Sequence, residues 1–195
     1  MPLKCETHLL QDAVEFNRFL TFIREQQVRS YLEIGSKNGG SFWRISNALP
    51  RGSKVVSVDL PHGDTSFKET EQHLKACVDE LVRRGYKATL VIGDSTDEKI
   101  VERVRKMSPF DLIFIDANHT ETYVWRDWEN YGPMGKLVAF HDIGHIMLPH
   151  KPTNKLPIEV GKVWKQLRRE HEHLEIRNCA ASNGIGILWK SQSAS

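Results

Sequence analysis

Residues 31–43, YLEIGSKNGGSFW, decide the fold of this chain. The apolar run VRSYLEIG at 28–35 passes into a glycine-rich loop, and SFWRISNALP at 41–50 then has helical periodicity. Glycines allow the backbone to turn sharply and to approach a ligand closely, and the start of a helix offers unpaired N–H groups. The loop matches neither GxGxxG nor the phosphate-binding GxxxxGK[ST] pattern. The stretch therefore predicts a strand, a ligand-binding turn and a helix.

The same strand-then-helix pattern continues along the chain. Apolar runs predict further strands at KVVSVDL 54–60, KATLVIGD 87–94, FDLIFID 110–116 and KLVAFHD 136–142, with helical stretches between them. Two last runs, HLEIRNC 173–179 and GIGILWK 184–190, predict an antiparallel hairpin with Asn183 and Gly184 in its turn. The predicted fold class is α/β: a Rossmann-like, doubly wound, seven-stranded sheet, mostly parallel with a C-terminal antiparallel hairpin.

Length and composition favour one globular domain. The chain has 195 residues and 39% hydrophobic residues, with 27 basic against 25 acidic ones. We expect a single domain over 1–190, which includes an N-terminal helix within 1–27, and a flexible tail at 191–195. The charge is too balanced to steer the protein onto nucleic acid, and no run suits a bilayer or a signal peptide. We expect a cytoplasmic protein with reduced cysteines, and a homodimer is left open.

Polar residues follow each predicted strand. Because ligands bind at the carboxyl ends of the strands in an open α/β sheet, these residues are the candidate site. An acid that ends the second strand some twenty residues past the glycines is placed to accept hydrogen bonds from ribose hydroxyls. Each residue could instead cap a helix or shape a turn. They are Glu33, Gly35, Ser36, Lys37, Asn38, Gly39, Gly40 and Ser41, then Asp59, then Asp94 and Ser95, then Asp116 and His119, then His141 and Asp142.

The motifs YLEIGSKNGGSFW, VVSVDLP, FDLIFIDANHT and GKLVAFHDI together resemble the class I S-adenosylmethionine-dependent methyltransferases. Within that class they are similar to the O-methyltransferase-like subgroup that carries ExGxxxGGS, IDxxH and HD. The resemblance covers roughly residues 28–190 and includes the final hairpin. The family implies methyl transfer from S-adenosylmethionine, with O-methylation of a small molecule or a sugar hydroxyl as the expected reaction.

The resemblance also implies roles for the strand-end residues. Glu33 and the loop Gly35, Ser36, Lys37, Asn38, Gly39, Gly40 and Ser41 would hold the methionine part of the cofactor, Asp59 the ribose, and Asp94 with Ser95 the adenine. The acids suit this ligand, because a carboxylate about 4 Å from a sulfonium contributes about 4 kcal/mol at an effective dielectric near 20, before desolvation is subtracted.

Methyl transfer is an in-line displacement, so the protein must align the acceptor and remove its proton. The candidates are His141, Asp116 and His119, in which an imidazole would act as base and Asp116 would orient it. The same group offers metal ligands, for which we name Asp116, Asp142 and His141, with His119 as the alternative nitrogen ligand. Catechol-type enzymes use an Asp-Asn pair at the fifth strand, and here Ile143 replaces the Asn. A mixed histidine and carboxylate set favours manganese, iron or zinc over magnesium, and metal dependence is left open.

Other function classes fit the sequence less well. An NAD-binding oxidoreductase would share the glycine turn and Asp59, but it would carry GxGxxG and no final hairpin. A catalytically inactive cofactor-binding module is disfavoured because polar residues are present at the end of every predicted parallel strand. DNA base methylation is disfavoured because [DNS]PP[YFW] is absent after the fourth strand. We expect the loop HIMLPHKPTNKLP at 145–157 to cover the acceptor site and to contact a small-molecule or glycan acceptor.

Overall fold

A computed structural model describes residues 3–7, 9, 11–60, 67–144, 157–179 and 183–190. All seven predicted strands are confirmed. They are β1 Ser30–Ile34, β2 Lys54–Asp59, β3 Lys87–Ile92, β4 Phe110–Ile115, β5 Gly135–His141, β6 His173–Ile176 and β7 Ile185–Trp189. The helices are α1 Lys4–Thr7, α2 Ala13–Glu25, α3 Gly40–Ala48, α4 Phe67–Arg83, α5 Glu98–Arg105, α6 Glu121–Tyr131 and α7 Val160–Leu167. Most of the predicted acceptor loop and the tail 191–195 lie outside the described residues.

The N-terminal segment differs from a single continuous helix. Helix α2 begins at Ala13, because the Asp12 carboxylate accepts hydrogen bonds from the backbone N–H groups of Val14 and Glu15 at 2.9 and 3.0 Å. A capping carboxylate of this kind fixes a helix start. The short helix α1 lies before it and was not predicted.

The strand order is β3-β2-β1-β4-β5-β7-β6. Strands β1 to β5 pair in parallel, and β7 pairs antiparallel with both β5 and β6. The register places His141 opposite Ile185, which in turn lies opposite Ile176. The ends of β1 to β5, the end of β6 and the start of β7 therefore share one edge of the sheet.

Helices cover both faces of the sheet. Strand β1 shows the alternation, since Tyr31 packs into the core on the side of α2 and α3, and Leu32 into the core on the side of α5 to α7. A parallel sheet with both faces buried has this pattern. The strand-end edge is thus the surface where polar side chains gather. None of the described helices has the length and apolar character needed to cross a membrane.

Candidate active site

The predicted site residues lie along this one edge of the sheet. They form two groups, which we name by strand. The cofactor group follows β1, β2 and β3, and the acceptor group follows β4 and β5. The two groups meet at Gly35, whose φ is +91°. A Cβ there would lie 2.4 Å from the carbonyl oxygen of Asp116 and 2.5 Å from Cα of Ala117. Only glycine lets the two strand-end loops pack this closely.

The glycine-rich loop is held in place by Asp59. The Asp59 carboxylate accepts a hydrogen bond from the backbone N–H of Lys37 at 2.6 Å, and Lys37 itself has a φ of +49°. Gly39, with a φ of +81°, is the N-cap residue that precedes α3. Burial raises the pKa of Asp59, although the N–H groups of Lys37 and Ser36 oppose the shift. The loop and the second-strand acid are one hydrogen-bonded unit.

Glu33 is completely buried beneath this loop. Its carboxyl group accepts hydrogen bonds from the hydroxyl of Ser41 at 2.6 Å and from the hydroxyl of Tyr31. Desolvation raises the pKa of Glu33 from 4.5 to about 8, despite these two donors. Tyr31 was not singled out from the sequence, although its position two residues before Glu33 puts both side chains on the same face of β1.

The end of β3 carries Asp94 and Ser95. The Asp94 carboxylate accepts hydrogen bonds from the backbone N–H and the hydroxyl of Thr96, both at 2.8 Å, and the carbonyl of Ser95 accepts one from Tyr131 at 2.8 Å. Asp127 on α6 is fully buried nearby, and burial raises its pKa to about 7. Its position in the middle of a helix gave no sequence signal that this acid is buried.

The acceptor group converges on Asp116. Its Oδ1 lies 3.2 Å from Nε2 of His119 and 3.2 Å from Nδ1 of His141. Oδ2 of Asp142 lies 3.3 Å from Nε2 of His119, and Oδ1 of Asp142 lies 3.3 Å from Nδ1 of His141. The fourth and fifth strands therefore bring all four predicted side chains together, as their positions in the sequence indicated.

A third side-chain contact of Asp116 was not predicted. Nε2 of Gln11 donates a hydrogen bond to Oδ2 of Asp116 at 2.7 Å, across 105 residues of sequence. Gln11 directly precedes the first capped turn of α2. No local sequence pattern predicts the contact between Gln11 and Asp116, because it depends on where α2 packs in the fold.

Opposite charges dominate the acceptor group. Burial alone would lower the pKa of His141, but the carboxylates of Asp116 and Asp142 outweigh it and raise this pKa to about 9. The pKa of His119 is raised for the same reasons, while the two imidazoles bring the pKa of Asp116 well below its usual range. Without a cation or substrate, His141 is thus protonated at pH 7 and pairs with the carboxylates.

Three side chains of this group fit a divalent cation. One potential ligand atom from each of Asp116, His119 and Asp142 lies within 4.8 Å of the others. Oδ1 of Asp142 is buried and makes no hydrogen bond among the described residues, so it has spare capacity as a ligand. Asp142 also adopts a φ of +62°, a backbone strain that often accompanies functional positions. Two carboxylates and an imidazole suit manganese, iron or zinc.

The sequence matches a family model described as a methyltransferase domain over residues 32–143, which is more than half of the chain. The chain belongs to this family and is a class I S-adenosylmethionine-dependent methyltransferase. The matched segment runs from the middle of β1 to the residue after Asp142, and so it contains both groups of the site. Among curated proteins, no sequence match was found.

Solved structures share the fold at low identity. An O-methyltransferase, TomG from Streptomyces achromogenes, in complex with S-adenosylmethionine, is 16% identical with a TM-score of 0.68, covering 97% of this chain and 87% of that one. An O-methyltransferase from Bacillus cereus in complex with S-adenosylhomocysteine is 14% identical with a TM-score of 0.68, covering 92% and 82%. A proposed caffeoyl-CoA O-methyltransferase from Staphylococcus aureus is 17% identical with a TM-score of 0.67, covering 95% and 87%.

Proposed function

We propose that this methyltransferase transfers the methyl group to a hydroxyl oxygen of a small molecule or a sugar. The observation that carries the proposal is the position of the acceptor group. Asp116, His119, His141 and Asp142 form a partly buried cluster of acids and imidazoles directly beside the glycine-rich loop. The O-methyltransferases among the structures with this fold support the same reaction.

The cofactor group supplies a binding surface for a cationic ligand. S-adenosylmethionine, when bound, supplies the methyl group as a sulfonium. Asp59, which accepts the hydrogen bond from Lys37, would also hold the ribose. Glu33 and the loop 35–41 would hold the methionine part of the cofactor. Asp94 and Ser95 would lie at the adenine. The buried carboxyl of Glu33 favours a nearby positive charge, because ionisation in this desolvated place is costly without one.

The acceptor group would orient the hydroxyl and remove its proton. An imidazole can act as base only when it is neutral, so the carboxylates that hold His141 protonated must be neutralised first. A divalent cation held by Asp116, His119 and Asp142 would do this and would also lower the pKa of a hydroxyl bound to it. We assign His119 as the nitrogen ligand, because one of its ring nitrogens and one oxygen each of Asp116 and Asp142 lie within 4.8 Å of one another, and this leaves His141 as the candidate base.

The decisive experiment is calorimetry of the metal-free protein with S-adenosylmethionine, S-adenosylhomocysteine and NAD, repeated with magnesium and manganese. We expect both adenosyl ligands to bind and NAD to give no heat of binding. A panel of catechols and sugars would then be assayed for formation of S-adenosylhomocysteine. Binding of NAD alone would support an oxidoreductase, and cofactor binding with methyl transfer only to amine acceptors would contradict O-methylation.

The domain boundary is also a proposal. We infer that residues 1–190 form one domain, because α1 contacts α3 and α4 while β7 completes the sheet beside β5.

A further inference from the structure

The contact between Gln11 and Asp116 joins the N-terminal segment to the centre of the site. In this contact, the neutral side-chain amide of Gln11 is hydrogen-bonded to the carboxylate that also contacts both histidines. Because Gln11 lies outside the segment that the family model covers, the family match assigns it no role.

The position of Gln11 is fixed by the turn that follows it. Glu15 is fully buried, and its carboxylate accepts hydrogen bonds from the backbone N–H groups of Asn178 and Gly184 at 2.9 and 3.2 Å. These two residues lie in the connection from β6 to β7. The carbonyl of Asn183 in the same connection accepts a hydrogen bond from Gly144, two residues after Asp142. The start of α2 is thus docked on the edge that carries the acceptor group.

The two oxygens of Asp116 have different partners. Oδ2 accepts the hydrogen bond from Gln11 at 2.7 Å, while Oδ1 lies 3.2 Å from the ring nitrogens of both histidines. A carboxylate can rotate about its χ2 angle, and a donor fixed on one oxygen selects the rotation in which the other oxygen faces the cluster. Without that donor, Asp116 is free to turn or to present both oxygens.

We propose that Gln11 is a positioning residue of the acceptor group, which holds Oδ2 of Asp116 so that Oδ1 is presented to a divalent cation bound by Asp116, His119 and Asp142. This inference rests on the cation centre of the proposed function. Hydrogen bonds that orient metal ligands commonly change metal affinity by about 10- to 100-fold when they are removed.

The test is the variant Gln11→Met, which keeps the length of the side chain and removes its donor. The matched control is Gln26→Met, at the exposed C-cap of the same helix. Manganese affinity is measured by electron paramagnetic resonance titration and S-adenosylhomocysteine affinity by calorimetry. We expect Gln11→Met to weaken manganese binding by about 10-fold or more, with unchanged S-adenosylhomocysteine affinity, and Gln26→Met to change neither.

A second measurement uses the wild-type protein alone. In nuclear magnetic resonance spectra, addition of diamagnetic Zn²⁺ should shift the side-chain amide resonance of Gln11 while that of Gln26 stays in place. An unmoved Gln11 resonance at saturating Zn²⁺ would contradict the proposal.

The outcomes separate this proposal from the proposed function. Equal manganese affinity of Gln11→Met and wild type, even with a lower melting temperature, would show that the contact only fastens the N-terminal segment. Wild-type protein that binds S-adenosylhomocysteine but not manganese would overturn the role of Gln11 and leave methyl transfer intact. Wild-type protein that binds neither ligand would overturn both.

Discussion

The cofactor group and the acceptor group place the same residue types in opposite electrostatic situations. Glu33 is buried among hydroxyl groups, and its pKa rises to about 8. Asp116 is similarly enclosed, but two imidazoles bring its pKa below the usual range. The cofactor group therefore gains from a cationic ligand, whereas the acceptor group already holds its own positive charges, which a cation or substrate must replace.

The largest effect is expected where the acceptor group is broken at its centre. Asp116→Ala removes the carboxylate that contacts both histidines and Gln11, and we expect the rate of methyl transfer to fall by about 10³-fold. The affinity for S-adenosylhomocysteine should stay the same, since Asp116 belongs to the acceptor group and not to the cofactor group. Asp79→Asn, an exposed acid on α4, is the control. Activity assays and calorimetry check this, and an equal loss in cofactor affinity would contradict the separation of the two groups.

The next effect concerns the junction of the groups. Gly35→Ala adds a Cβ that would lie 2.4 Å from the carbonyl oxygen of Asp116, at a φ of +91°. We expect a loss of about 3 kcal/mol in the free energy of unfolding, from strain and overpacking together. Gly52→Ala has a similar φ of +83° but meets nothing within 4 Å, so it isolates the backbone cost of about 1 kcal/mol. If denaturant titrations gave the same loss of unfolding free energy for Gly35→Ala and Gly52→Ala, the close packing of Gly35 against Asp116 would not contribute to stability.

A smaller effect is expected within the cofactor group. Asp59→Ala removes the carboxylate that would hold the ribose and that accepts the N–H of Lys37. We expect S-adenosylhomocysteine to bind about 10- to 100-fold more weakly, or about 1.4 to 2.8 kcal/mol, while manganese affinity stays the same. Calorimetry with each ligand measures both, with Asp79→Asn again as control. Unchanged affinity for S-adenosylhomocysteine would remove Asp59 from the cofactor site.

The effect that is spread over the widest range of conditions, and is therefore smallest at any single step of pH, is the pH dependence of stability. Because the pKa of Glu33 is about 8 when folded and 4.5 ordinarily, the unfolded chain releases this proton first. The stability that its protonation contributes is complete below about pH 4.5 and is lost as the pH rises through about 8. Between these limits the slope is at most about 1.4 kcal/mol per pH unit. Glu33→Gln should reduce the slope measured in urea titrations from pH 5 to 8 by up to about 1.4 kcal/mol per pH unit, and the remainder comes from Asp127 and His141, whose pKa values are also raised. An unchanged slope in the variant would contradict the assignment to Glu33.

Much of the fold could be predicted from the sequence because its signals are local. Apolar runs mark the strands, which are four to seven residues long. The carboxylate of Asp12 caps α2 and fixes its start. The N-terminal helix expected within residues 1–27 is represented by α2, which begins only at Ala13 because Asp12 caps it. The position of β7 between β5 and β6 is a property of the sheet, and a hairpin prediction alone does not fix it.

The membership of the acceptor group followed from the sequence, whereas the roles within it did not. Asp116, His119, His141 and Asp142 end two neighbouring parallel strands, so their convergence is a consequence of sheet geometry. The grouping of His119 with Asp116 and Asp142 as potential cation ligands depends on the tertiary structure. Likewise, Gln11 reaches Asp116 only because α2 docks on the hairpin.

By itself the sequence determined the strands, the glycine turn and the acids and histidines at the strand ends, because spacing along the chain controls these features. The tertiary structure alone decided which groups are charged and which oxygen of Asp116 is held. Those properties depend on desolvation and on distances between residues up to 105 positions apart, which no local pattern encodes.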